Sequence, residues 1–173
     1  MKRRFRRPRP FRWALLILVV VLMGVRIARR EDASASPESL VEGPYRVRRV
    51  IDGDTLQLEN NARIRLIGAD TPETVHPKRP AEAWGPEATE FTRRFVSDGL
   101  VHLRFDRERL DRYDRFLAYV WVEDRLLNEA LISAGLARAR LEFHYADSMK
   151  RRFRQAQSQA QRANLGIWSA EPR

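Results

Sequence analysis

From residue 45 the chain alternates apolar and polar positions in short runs, which is the signature of half-buried strands. Between Val50 and Leu58, Leu56 and Leu58 share one face and Gln57 takes the other. Asn60-Asn61 is a turn signal, and Arg63–Ile67 then sets Ile64 and Leu66 against Arg63 and Arg65. Successive side chains on a regular strand point to opposite faces, so this alternation turns Arg65 away from an apolar core. Val101, Leu103 and Phe105 alternate with His102 and Arg104, and residues 116–122 (FLAYVWV) form the continuous apolar run expected of a central strand.

Helical spacing interrupts these runs. Pro86 suits a first helical position, and Ala88, Phe91, Thr92 and Phe95 recur at the interval of one helix face, with Gly99 after them. Asn128 is placed to cap a short helix that ends at Gly135. Asp147 can start a last helix with Met149, Phe153, Ala156, Ala160 and Ala163 as its buried stripe, closed by Gly166. Five short strands and three helices, with no internal repeat, predict an α+β domain: a small barrel with helices packed around it.

Composition changes this picture mainly at the N-terminus. The 173-residue chain has a formal net charge of +10, from 33 Lys+Arg against 23 Asp+Glu. Residues 1–30 hold ten of the basic side chains and no acidic one, which leaves 23 of each sign in the rest. The overall charge therefore describes the tail and says nothing about the domain's partner. An apolar run from Trp13 to Val25 lies between arginines, and thirteen residues of helix span roughly 20 Å. That is short for a hydrocarbon core of about 30 Å, although Arg12 and Arg26 can snorkel and extend the span through residue 28. Ala33-Ser34-Ala35 has the form of a cleavage site, but five charged residues separate it from the apolar run. We therefore expect residues 1–30 to form a basic segment plus a signal anchor, with membrane contact through residues 13–28. Residues 31–43 read as a linker and 44–170 as the domain. Seven basic residues before the run against three just after it set the N-terminus in the cytoplasm and the domain outside, membrane-anchored or exported. With no cysteine, disulfides, thiolate metal sites and cysteine nucleophiles are excluded.

Candidate chemistry clusters in three places. Asp52-Gly53-Asp54-Thr55 and Arg65-Leu66-Ile67-Gly68-Ala69-Asp70-Thr71-Pro72-Glu73 supply carboxylates and an arginine, and Asp111-Arg112-Tyr113-Asp114-Arg115 adds a second arginine. Carboxylates suit a hard divalent cation, a glutamate can take a proton from water, and an arginine fork can hold a phosphate. Each has an ordinary alternative: a turn aspartate, a loop glutamate, a surface arginine. The three histidines show no metal spacing; His102 alternates outward on its strand.

Residues 45–168 resemble the staphylococcal nuclease (thermonuclease) family. The resemblance runs through Val50-Ile51-Asp52-Gly53-Asp54-Thr55, Asp70-Thr71-Pro72-Glu73-Thr74, His76-Pro77-Lys78, Gly85-Pro86-Glu87-Ala88, Leu117-Ala118-Tyr119, Asn128-Glu129-Ala130-Leu131 and Ile167-Trp168-Ser169. It implies an OB-fold five-stranded barrel with three helices. It also implies a Ca2+-dependent nuclease acting on DNA and RNA, single strands preferred, with 3′-phosphate products. The resemblance makes Asp54, Asp70 and the Thr71 carbonyl the metal ligands, Glu73 the general base, and Arg65 and Arg115 the groups that grip the scissile phosphate. Arg112 and Tyr113 would bind a terminal phosphate. His76, Lys78 and Arg79 fall in a loop beside the active site.

Two departures stand out. Asp114 replaces a glycine frequent in the family, and Asp tolerates the left-handed conformation that the turn needs. The family's stacking tyrosines fall at Leu141 and Phe143; Phe143 can still stack a base, with Tyr145 as a possible substitute for the lost hydroxyl. The domain is expected to act as a monomer. Two other readings remain open here: an OB-fold module that binds nucleic acid without cleaving it, and a membrane-tethered interaction domain with a structural calcium site.

Overall fold

The computed structural model describes residues 40–74 and 80–169. The expected anchor, the linker up to residue 39 and the His76–Arg79 loop lie outside the described residues. Among the described residues no helix is long and apolar enough to cross a membrane.

Five strands close a barrel. β1 (Gly43–Asp52), β2 (Thr55–Leu58) and β3 (Arg63–Leu66) form an antiparallel meander. β5 (Leu100–Arg104) and β6 (Phe116–Val122) pair antiparallel, and β3 meets β6 in parallel to complete the ring. β1 serves two partners: residues 43–46 pair with β5 and residues 47–52 with β2. Register shifts between Val47 and Arg49 and between Val50 and Asp52 supply the bend that this requires. Short pieces complete the set: β4 (Ala69–Asp70) pairs with β8 (Arg138–Ala139), and β7 (Arg125–Leu126) folds back antiparallel onto the end of β6.

The alternation appears in burial as expected. Leu56, Leu58, Ile64, Leu66, Val101 and Leu103 are buried, while Gln57 is partly exposed and His102 and Arg104 are exposed. The core also extends back to Leu40, which is buried and whose carbonyl accepts a hydrogen bond from Arg109.

Three helices pack outside: α1 (Gly85–Phe95), α2 (Leu127–Ser133) and α3 (Asp147–Arg162). α1 buries Ala88, Thr89 and Thr92 against the turn between β1 and β2. A methyl added at Gly53 would meet Ala88 Cβ at 2.8 Å, so this helix approaches as closely as it does only because residue 53 has no side chain. Thr92 Oγ1 donates to the Gly53 carbonyl at 2.5 Å and fixes the contact.

Three helix details differ from the sequence reading. Asn128 does not cap α2; Leu126 holds that position without a side-chain cap. Asn128 is instead fully buried: its Oδ1 accepts from Val120 N–H (3.0 Å) and its Nδ2 donates to the Ile67 carbonyl (2.9 Å). Cap and buried tie use the same amide, and tertiary packing chose the tie. α3 ends at Arg162 with Ala163 as an exposed C-cap, so that alanine leaves the buried stripe. Asn164 and Gly166 both take positive φ, and Gly166 opens a 3-10 turn rather than closing α3.

Asp106 anchors the start of α3. Its Oδ2 accepts from the Tyr119 hydroxyl (2.6 Å) and from Ala146 N–H, the helix N-cap (2.9 Å). Burial pushes this carboxyl up, but hydrogen bonds from Tyr119, Ala146 and Arg107 outweigh it and hold it below its ordinary 3.8. The resulting stability is present above the ordinary value and lost as pH falls through the lowered one. Asp106→Asn should therefore unfold at lower urea near neutral pH, by about 1 kcal/mol. The gap to wild type should close as pH drops below 3.8. A gap that stays constant down to that acid range would show that the carboxylate's charge is not what holds α3.

Candidate active site

Register brings the candidate groups together. Thr55 lies opposite Arg65 in the β2–β3 ladder, and Arg65 lies opposite Leu117 in the parallel β3–β6 ladder. Asp54, one residue before Thr55, and Arg115, one pleat before Leu117, therefore reach the same end of the barrel. β4 begins three residues beyond β3 and delivers Asp70 to that place.

Arg65 is the hub. Its side chain is only 17% exposed. It pairs with Asp54 through Nη1 and with Asp70 through Nη2, the latter at 2.5 Å, and it also donates to the Ala69 carbonyl at 3.2 Å. Burial pushes the guanidinium below its ordinary value, Asp70 pushes it back up, and the neighbouring charge of Arg115 lowers it again. Asp54 is buried and well fixed: Thr71 donates to its Oδ2 from N–H (2.8 Å) and from Oγ1 (3.0 Å), and Thr55 Oγ1 to its Oδ1 (3.1 Å).

Arg115 is held by Asp111, a residue whose part the sequence reading left unassigned. Asp111 accepts from Arg115 Nε (2.7 Å) and N–H (3.0 Å) and from Tyr113 N–H (2.8 Å). Burial raises this carboxyl; the hydrogen bonds from Arg115 and Tyr113 bring it below its ordinary value. Asp114 sits at φ 55°, so the turn accepts aspartate in the left-handed conformation. Arg115 Nη1 reaches Thr55 Oγ1 at 3.4 Å, which links the second arginine back to the Asp54 side.

A cavity of about 600 Å³ opens beside these groups and is lined by Arg65, Asp70, Arg112, Tyr113, Arg115 and Phe143, among others. Six of the nine residues singled out from the sequence thus share one cavity wall. Asp54 and Thr71 stand directly behind Arg65 and Asp70. Glu73 is exposed and does not line the cavity; its backbone is tied to Glu82, N–H to Oε2 at 3.2 Å and carbonyl from Glu82 N–H at 2.8 Å. The loop carrying it is further braced by Asp52, whose Oδ1 accepts from Thr74 Oγ1 at 2.7 Å. Asp52 belonged to the Asp-Gly-Asp motif, but nothing in its spacing showed that it would secure a loop 22 residues away.

Tyr113 and Phe143 are about half exposed at the cavity, each with a guanidinium against its ring: Arg112 on Tyr113 and Arg140 on Phe143. Tyr145 does not substitute for the missing stacking tyrosine. It is 1% exposed and packs on Phe153, ring centroids 6.0 Å apart, and burial pushes its hydroxyl up to about 12. Gly68, at φ 70°, lies against that ring, and a methyl there would meet Tyr145 Cζ at 2.8 Å.

The acceptor set suits a hard cation: Asp54 and Asp70 converge on one guanidinium, and both are carboxylates. Among the described residues no group of three Asp, Glu or His side chains is assembled for a metal, so such an ion would complete its sphere with carbonyls, water or substrate.

Comparison with known proteins identifies the family. The family model described as "Staphylococcal nuclease homologue" matches residues 63–170. The thermonuclease of Staphylococcus hyicus is 38% identical over 162 residues, covering 90% of this chain and 94% of that protein. The thermonuclease of Staphylococcus intermedius is 40% identical over 157 residues, covering 89% and 93%. Endonuclease YncB of Bacillus subtilis (strain 168) is 34% identical over 125 residues, covering 70% and 59%. With the closed barrel, its three helices and two thermonucleases matched over nearly their whole length, the chain belongs to the staphylococcal nuclease family and is a nuclease.

Proposed function

We propose that this nuclease is Ca2+-dependent and cleaves DNA and RNA, single strands preferred, leaving 3′-phosphate ends. The observation that carries this reading is the meeting of Arg65 and Arg115 with Asp54 and Asp70 at one cavity flanked by two exposed aromatic rings. Its thermonuclease relatives support the same direction.

Asp54, Asp70 and the Thr71 carbonyl would hold the cation, which when bound neutralises charge at the phosphate and polarises water. The remaining roles belong to the chain. Arg65 and Arg115 bind the equatorial oxygens of the scissile phosphate, where negative charge grows as the attacking water closes on phosphorus. Carboxylates hold both arginines at the cavity: Asp70 pairs with Arg65 and Asp111 with Arg115. Glu73 takes the proton of the attacking water, and Pro72 together with the Glu82 ties stiffens its loop. Tyr113 and Phe143 offer faces to bases, which suits unpaired strands because paired bases are already stacked. Arg112, whose guanidinium lies 4.8 Å from the Tyr113 ring centre, supplies a further phosphate-binding cation.

The full chain, incubated with a single-stranded oligonucleotide in Ca2+ or in chelator, tests this reading. Cleavage in Ca2+ only, with the phosphate left on the 3′ oxygen of the upstream fragment at each break, is the expected result. Cleavage undiminished by chelator, or 5′-phosphate products, would contradict it. Binding without cleavage would favour the non-catalytic module, and Ca2+-dependent melting without turnover would favour a structural calcium site.

A further inference from the structure

A fourth arginine lines the cavity, at a position that neither the residue pattern nor the family resemblance singled out. Arg140 follows β8, and its N–H donates to the Gly68 carbonyl at 3.0 Å, which pins it beside the turn from β3 to β4. Its Nη1 donates to Asp70 Oδ2 at 2.8 Å and its Nε to Glu142 Oε1 at 2.5 Å, and its guanidinium lies 5.1 Å from the Phe143 ring centre. Glu142 and Phe143 thus cradle the cation against Asp70.

Asp70 consequently carries an arginine on each oxygen: Arg65 on Oδ1 and Arg140 on Oδ2. The two arginines are not equivalent. Arg65 is shared with Asp54 and the Ala69 carbonyl and is 17% exposed. Arg140 touches only one of the two converging carboxylates and is 40% exposed. Asp54, by contrast, is satisfied on its other sides by uncharged donors from Thr55 and Thr71. Any cation that uses Asp70 would have to share it with Arg140 or drive Arg140 off, because two positive charges on one carboxylate repel each other.

We propose that Arg140 is a positioning residue that competes with the divalent cation for Asp70 and thereby sets the cation affinity of the site. The inference rests on Asp54 and Asp70 being the cation's ligands. Its sign distinguishes it from a merely structural role. If Arg140 only propped Asp70 in place, removing it would weaken cation binding; if it competes, removing it strengthens binding.

The test is calorimetric titration of Ca2+ into the full chain without nucleic acid, comparing wild type, Arg140→Met, Arg140→Lys and Asp54→Asn. Arg140→Met keeps an unbranched apolar stem and removes the charge, and should bind Ca2+ about tenfold more tightly than wild type. Arg140→Lys keeps the charge and should bind within about threefold of wild type. Asp54→Asn should lose most of the binding. Equal or weaker binding by Arg140→Met, with Asp54→Asn still defective, would overturn the role given to Arg140 while leaving the cation site in place. Wild-type binding by Asp54→Asn would overturn the cation site itself, and this inference with it.

Discussion

Arg65→Ala should lose at least about 10²–10³-fold in kcat on a single-stranded oligonucleotide, the scale on which one fixed charge-stabilising donor counts. The loss has two sources. Arg65 would no longer meet the charge that grows on the phosphate. In addition, Asp54 and Asp70 would face each other without the guanidinium they now share, and two close carboxylates repel. The folded variant should therefore melt lower than wild type in chelator and regain part of that difference in Ca2+. Arg65→Lys should rescue poorly, because a single ammonium cannot span both carboxylates as the fork does. Kinetics on all three forms, with thermal melts in Ca2+ and in chelator, would check this. Wild-type turnover in Arg65→Ala would remove the residue from the chemistry.

This dependence on one arginine also shows what could be read along the chain. The strands were legible because each alternates locally: Leu56 and Leu58, Ile64 and Leu66, Val101 and Leu103 each bury one face of a pleat. The candidate residues were legible because they sit in short motifs whose order matches a known family. Contacts made across the fold were not legible. Asn128 carried a local signal for capping and went instead to Val120 and Ile67, a choice made by burial and not by sequence spacing. Asp111 stood inside a recognised motif, but its grip on Arg115 depends on the turn geometry around Asp114. Arg140 looked like one of many basic residues, and only the pairing of β4 with β8 brings it to Asp70. Tyr145 gave the opposite error: an aromatic at the right place in the chain for stacking, turned inward onto Phe153. Local periodicity thus revealed the barrel, whereas the electrostatics of the site depend on residues separated by up to 70 positions.

Water attack assisted by a carboxylate on the Thr71–Thr74 loop stands or falls with Glu73→Gln. Glutamine keeps the size of the side chain and its capacity to accept a hydrogen bond but cannot take up a proton at neutral pH. The loop's position depends on backbone bonds from Glu73 to Glu82 and on Thr74 to Asp52, and the substitution leaves all of them intact. The measurement is single-turnover cleavage of a single-stranded oligonucleotide at saturating Ca2+, with oligonucleotide affinity determined in parallel. The cleavage rate should fall by about 10²–10⁴-fold, with affinity for the strand little changed. Cleavage by Glu73→Gln at the wild-type rate would contradict this and would require another group to take the proton.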